Sequence, residues 1–279
     1  MKPIFKPILL LAFLIAASNT FSQTKIDQSK EELKKGSPKN TGSNNTSPSS
    51  TNPPKEKPCR NGFGDLVADV FLYLTYYSII GSYGSEDHLH SKLTKYPYYN
   101  QSSGNFESTD SSTAARNRFR IDIDNQFLFS HKDLFGNHIR AKIHPFQYFH
   151  FQLDYIQLKE FNSFSAQYSN LALLDINFCY DRLRFEKFNL GWALGMNYVA
   201  NGVNKAGFTG GFNTDIFIAH PISLFSSIKW SSVNGLPVNQ FEVQAKYHQK
   251  KFFVSLGYER LKIATPNYNF LSFGGGIYL

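Results

Sequence analysis

Between residue 116 and the last residue, ten stretches of the chain alternate apolar and polar side chains with a period of two. Phe119, Ile121 and Ile123 alternate with Arg118, Arg120, Asp122 and Asp124, and Ile139, Ala141 and Ile143 alternate with Arg140 and Lys142. Phe149, Phe151, Leu153 and Tyr155 stand against Gln152 and Asp154, and further runs cover 172–180, 190–198, 208–218, 222–230, 241–247, 252–258 and 271–279. A period of two puts successive side chains on opposite faces of a strand, so each run predicts a strand with one apolar and one polar face. Asn125 breaks the apolar face, and Leu173, Phe217, Phe225 and Phe253 break the polar one.

Alternation alone does not say which face is inside. Gly191, Gly195, Gly211, Gly257, Gly274 and Gly276 lie on the polar face, where they suit a crowded lumen and would weaken a solvent-exposed strand. Tyr155, Tyr180, Tyr198, Trp230, Tyr247 and Tyr258 gather toward strand ends on the apolar face, as in the aromatic girdles of membrane barrels. The connections also read as short (144–146, 182–187, 219–221, 248–251) alternating with longer (130–137, 159–167, 200–207, 231–237, 264–269), the asymmetry of periplasmic turns and external loops. The pattern predicts an all-β, up-and-down antiparallel transmembrane β-barrel of about ten strands over 116–279, its termini on the periplasmic side. A soluble lipocalin-like barrel with an apolar interior shares the period and is the alternative architecture.

Upstream, the pattern changes three times. Lys2 and Lys6 precede an apolar run at 8–17, too short to span a bilayer comfortably as a helix, with Thr20 and Ser22 placed for cleavage before Gln23. Residues 1–22 read as a secretory signal peptide. Residues 23–58 are rich in Lys, Ser, Asn, Thr and Pro with almost nothing apolar after Ile26, which predicts a disordered tether. Residues 59–115 read as a periplasmic or lumen-associated segment. Within it Leu66, Val70, Phe71, Leu74 and Tyr77 recur at helical spacing, predicting a short amphipathic helix in 63–83 on the barrel or in its mouth, and 84–117 reads as irregular.

Composition sharpens this picture. Only 18% of residues are charged and 16% are aromatic, with 27 Phe and 16 Tyr, which argues against coiled coils and wholesale disorder. Removing Lys2 and Lys6 takes two units from a formal charge of +8, and the tether holds seven lysines against four carboxylates. The surplus is modest for this length, and nucleic acid is not an expected partner. On the polar face of the strands, Arg118, Arg120, Arg140, Lys142, Lys229 and Lys246 nearly balance Asp122, Asp124, Asp154, Asp175, Asp215, Glu242 and Glu259. In a barrel only slightly wider than the eight-stranded size whose interior side chains fill, a balanced set predicts a charge-paired polar plug.

Sites for chemistry are sparse. Ser130, His131 and Asp133 fall in one predicted loop, and Glu86-Asp87-His88-Leu89-His90 reads as a solvated loop with incidental histidines. No metal site, cofactor or catalytic residue is expected. Cys59 and Cys179 are the only cysteines; in an oxidising compartment they could form a disulfide pinning the segment that begins at Cys59, or stand as two thiols.

The runs Leu190-Gly191-Trp192-Ala193-Leu194-Gly195 and Gly257-Tyr258-Glu259, the Thr-Phe-Ser before Gln23 and the final strand together resemble the small outer-membrane β-barrels of the kind exported by Bacteroidota. The resemblance covers 116–279, and such barrels usually end in an aromatic where this chain has Leu279, with Tyr278 on the other face. It implies an outer-membrane location and leaves activity open. The expected role is non-enzymatic: a structural, adhesion or envelope-complex component with outer-membrane lipid and an envelope protein as partners. A gated small-solute pore, and a soluble periplasmic barrel binding an apolar ligand, are the alternatives.

Overall fold

A computed structural model of the chain describes residues 24–37, 76–107, 119–131, 133–163 and 165–279. The expected signal peptide, residues 38–58 of the expected tether, Cys59, Arg118 and most of the expected 63–83 helix lie outside these residues.

The ten alternating runs are ten strands. With the two-residue strands β1 (Lys92–Leu93) and β2 (Phe106–Glu107) forming a small separate ladder, the barrel consists of β3 (Arg120–His131), β4 (Leu134–His144), β5 (Phe149–Asn162), β6 (Gln167–Arg184), β7 (Phe188–Val199), β8 (Lys205–Ala219), β9 (Ile222–Val233), β10 (Leu236–Gln249), β11 (Phe252–Ile263) and β12 (Asn267–Tyr278). Each pairs antiparallel with its sequence neighbour, and β12 closes on β3 through pairs such as Ile277↔Ile123 and Leu271↔Phe129. The shortest has 11 residues and the longest 18, and a tilted strand needs about 9–11 to cross a bilayer. Closure leaves no strand edge unpaired, the condition for a sheet in hydrocarbon.

The polarity of the two faces settles which is inside. Phe208, Phe273 and Leu256 stand 66%, 65% and 64% exposed on the outer face, with Phe127, Ile176, Met196 and Leu271 beside them. Arg140, Glu242, Glu259 and His138 are fully enclosed within. A polar interior and an apolar exterior invert the soluble barrel, so the described residues do not form the apolar interior that the lipocalin-like alternative requires. Asn125 does face outward, hydrogen-bonded by Asn137 Nδ2 at 2.7 Å, and Leu173, Phe217, Phe225 and Phe253 point inward. Inward glycines clear space for lumen side chains. A Cβ at Gly276 would meet the Phe253 ring at 2.5 Å, and one at Gly191 would meet Asn213 Oδ1 at 2.7 Å.

Two expectations need correction. The connections do not alternate in length. They are 132–133, 163–166, 200–204, 234–235 and 264–266 at one end, and 145–148, 185–187, 220–221 and 250–251 at the end bearing the barrel's termini. At the first end the inward positions turn apolar, with Leu128, Leu134, Ile156, Leu158, Leu171, Val233, Ile263 and Tyr268 all buried. There the two-faced contrast fades, so residues that continue the strands read as loop.

The tether, in turn, is not uniformly disordered. Its residues Lys25–Lys35 form helix α1, N-capped by Thr24, whose side chain accepts from the Asp27 N–H, and closed by Gly36 at φ 73°. Ile26, Ser29 and Leu33 recur at i, i+3 and i+7 and are buried against the apolar positions just named. An isolated helix of 11 residues is marginal in water. This one is held by docking, which composition averaged over 23–58 conceals.

Candidate functional site

The interior is layered from one mouth to the other. At the mouth opposite the barrel termini, α1 rests on the apolar cluster. Glu160 Oε2 accepts from Ile26 N–H at 2.9 Å, Ser29 Oγ lies 2.7 Å from Tyr268 Oη, Asn234 Nδ2 donates to Leu33 O at 2.7 Å, and Ser169 Oγ donates to Asp27 Oδ2 at 2.7 Å.

The middle layer is ionic. Arg140 on β4 donates from Nε to Asp154 Oδ1 on β5 at 2.7 Å, and from Nη2 to Glu242 Oε1 on β10 at 2.5 Å. Lys229 on β9 donates to Asp154 Oδ2 at 2.6 Å and stands 3.9 Å from Asp175 Oδ2. His138 lies 3.1 Å from both Asp154 Oδ1 and Glu259 Oε2. Gln152, Gln240 and Gln244 donate to Asp154, Glu259 and Glu242 at 2.7, 2.9 and 3.0 Å, and Asn197 donates to Asp175. Two of these bonds, Arg140 to Glu242 and Lys229 to Asp154, join strands four apart around the barrel, and the His138–Glu259 contact joins strands three apart, so side chains cross the space a channel would need. Nearer the termini, Arg120 binds Asp122 at 2.7 Å, Gln126 donates to Asp124 at 3.2 Å, and Lys142 and Lys246 each lie 4.4 Å from the Phe225 ring centre. Every charged position singled out from the sequence except Arg118, which is not described, faces this interior, with Asp122 and Asp215 only partly buried.

The terminal mouth is covered by residues 76–107. A helical turn at 76–79 lies against the outer rim, where Trp192 Nε1 donates to Ile79 O at 3.0 Å and Tyr180 Oη to Ile80 O at 2.8 Å. That contact buries Tyr180, whereas Tyr155, Tyr198, Trp230, Tyr247 and Tyr258 stay exposed. A bulge between Asp181 and Leu183 in β6 presents Arg182 to this segment. Arg182 donates to Glu86 Oε2 and Oε1 at 2.9 and 3.1 Å and to Tyr77 O at 2.8 Å. The Arg182 hydrogen bonds, aided by the Ser82 N–H, hold the Glu86 carboxyl below the usual carboxylate range. Arg120 Nη1 donates to Thr94 O at 3.1 Å, and Tyr98 Oη to Ile222 O at 2.7 Å.

The other sequence candidates separate. His131 lies at the α1 mouth with its Nδ1 facing the Asp133 backbone N–H at 3.3 Å, so Ser130, His131 and Asp133 do not assemble as nucleophile, base and acid. His88 stacks on Phe185 at 4.4 Å, while His90 Nε2 meets Tyr83 O at 2.8 Å; the two do not converge. Cys179 is a buried free cysteine and Cys59 lies outside the described residues. Sequence reasoning missed one close pair, Ser223 Oγ at 2.7 Å from His248 Nε2, with His248 Nδ1 3.2 Å from Tyr278 Oη. Ser223 is 1% exposed and the histidine is packed by Tyr98, Phe253 and Tyr278, so the pair is enclosed structure.

No protein-family model and no curated protein matches the chain. Among solved structures it is similar to an outer membrane channel from Pseudomonas putida F1, at 7% identity over 62% of this chain and 100% of that one, with a TM-score of 0.35. It is also similar to Ail, the attachment invasion locus protein of Yersinia pestis, at 11% identity over 58% of this chain and 97% of that one, TM-score 0.29. The N-terminal β-barrel domain of Pseudomonas aeruginosa OprF gives 11% identity over 59% of this chain and 100% of that one, TM-score 0.30. Overlaps this loose carry no argument about role.

Proposed function

We propose that the chain is a non-conducting outer-membrane β-barrel, acting as a structural, adhesion or envelope-complex component and not as an enzyme. The observation that carries this reading is the set of bonds across the lumen, Arg140 to Glu242 and Lys229 to Asp154, between two covered mouths. Removing one partner of a buried pair is strongly unfavourable, so the network resists parting to admit an ion. The outer face, with Phe208, Leu256 and Phe273 bare, needs lipid around it. The expected signal peptide supplies the export route, and the resemblance of the strand runs to small outer-membrane barrels supports the same location. In this reading the barrel termini and residues 76–107 face the periplasm, where an envelope protein would meet them.

Current through the purified full chain in a planar bilayer tests the proposal. A silent bilayer after insertion is verified by heat-modifiable gel migration is expected. Steady unitary current, or recovery of the protein in the detergent-free soluble fraction, would overturn it.

A further inference from the structure

Two groups of buried side chains in the lumen could hold a metal ion by geometry, His138 with Glu242 and Glu259, and His144 with His150 and Asp181. They differ in what their donor atoms already do. The first group is consumed by the central network: both His138 nitrogens face carboxylates, Arg140 binds Glu242 and Gln240 binds Glu259. A cation there would have to displace a guanidinium.

The second group is held by three adjacent strands at the terminal end. His144 ends β4, the turn 145–148 returns the chain, His150 enters β5, and Asp181 precedes the bulge in β6. One donor atom from each lies within 4.8 Å of the other two, and His150 Nδ1 is 3.2 Å from Asp181 Oδ2. The imidazole centres are 4.6 Å apart. His144 is 6% and His150 3% exposed, and the Nε2 atom of each is buried with no hydrogen-bond partner. Neither nitrogen makes a well-formed hydrogen bond to offset its burial, and Cys179, which faces His150 across the β5–β6 ladder, places a thiol beside that ring. Asp122 Oδ2, 3.4 Å from His144 Nε2 and itself anchored by Arg120, adds a carboxylate beside the ring. The cations nearby are committed elsewhere, Arg184 to Asp181 O and Leu89 O, and Lys142 to the Phe225 face.

We propose that His144, His150 and Asp181 bind one divalent transition-metal ion of the zinc class, linking the ends of β4, β5 and β6 beneath the 76–107 cover. Two imidazoles and a carboxylate are borderline ligands suited to zinc, which takes them at about 2.0–2.2 Å, so a small inward movement of the three side chains completes the set.

The test uses the full chain in detergent micelles, stripped with chelator and titrated with Zn2+ by calorimetry, with metal content read by elemental analysis after dialysis. One zinc per chain is expected, with an upward shift in the unfolding midpoint of the wild-type protein. His150→Asn and Asp181→Asn should each weaken zinc at least tenfold, while His131→Asn at the opposite mouth retains it. Heat-modifiable migration confirms that each variant is folded. Absence of saturable zinc binding by the folded wild-type chain, or undiminished binding by folded His150→Asn, would overturn the assignment.

Discussion

The two mouths of this barrel are closed by different physics. At one end an amphipathic helix lays Ile26 and Leu33 on a floor of buried Leu, Ile and Val. At the other, residues 76–107 are held by directional bonds, chiefly from Arg182, Arg184 and Arg120. Apolar contact is non-directional and not subject to ionic screening, whereas charge-assisted hydrogen bonds at partly exposed sites are specific, screened and pH-dependent. The helical mouth is thus built as a stopper and the terminal mouth as a latch. Between them the ionic layer supports both.

The largest way to break the comparison is to remove the layer they share. Arg140→Met takes the guanidinium from the buried Glu242 carboxylate, leaving it the Gln244 amide, and a loss of about 3–5 kcal/mol is expected in urea unfolding of the micelle-bound barrel. Both mouths should then lose hydrogen-exchange protection together.

Next in size is Leu33→Ala, removing a fully buried side chain at a cost of about 2–5 kcal/mol to helix docking. Because α1 is too short to persist alone, exchange should rise across 24–37 as a unit, with 76–107 unchanged. Protection retained in 24–37 would show that the helix does not depend on the apolar floor.

Arg182→Ala probes the latch. Its bidentate pair with Glu86 is partly exposed, with side chains 14% and 26% accessible, so a loss of about 1–2 kcal/mol is expected. Limited proteolysis should open 76–107 while leaving 24–37 intact.

Acid gives the smallest and sharpest contrast. The Arg182 bonds depress Glu86, so its contribution is complete above the ordinary carboxylate value and is lost as pH falls through the depressed one. Glu32 of α1 follows the same sign: burial pushes its carboxyl up, and the Thr265 N–H and Gln28 bonds outweigh this. The helix keeps Ile26 and Leu33 buried regardless, so on acidification exchange should rise in 76–107 before 24–37. The reverse order would refute the distinction between stopper and latch.

The legibility of the sequence follows the same division. Period-two alternation marked ten strands and the inward charges because a strand in a barrel wall has two chemically opposed surroundings, and each residue reports its own. That signal failed where both sides were apolar. Leu128, Leu134, Leu158 and Leu171 interrupt the polar face, so β3 through β6 seemed to end early and the hairpins to be long loops. The same inward leucines were the only available sign that something apolar had to cover that mouth. The sign for the cover itself was Ile26 and Leu33, seven apart in a polar background.

By itself the sequence determined the kind of wall this protein has: an antiparallel barrel of about ten strands, with the charged positions of one face marked along most of each strand. Those properties are set by one residue's neighbours two positions away, and a local pattern records them. Tertiary structure alone decided which charges meet, that a segment with a tether's composition becomes a helical stopper, and that His144, His150 and Asp181 converge. Each of these joins residues on different strands, or a strand to the N-terminal part of the chain, at distances fixed by register and barrel closure, which no stretch of sequence encodes on its own.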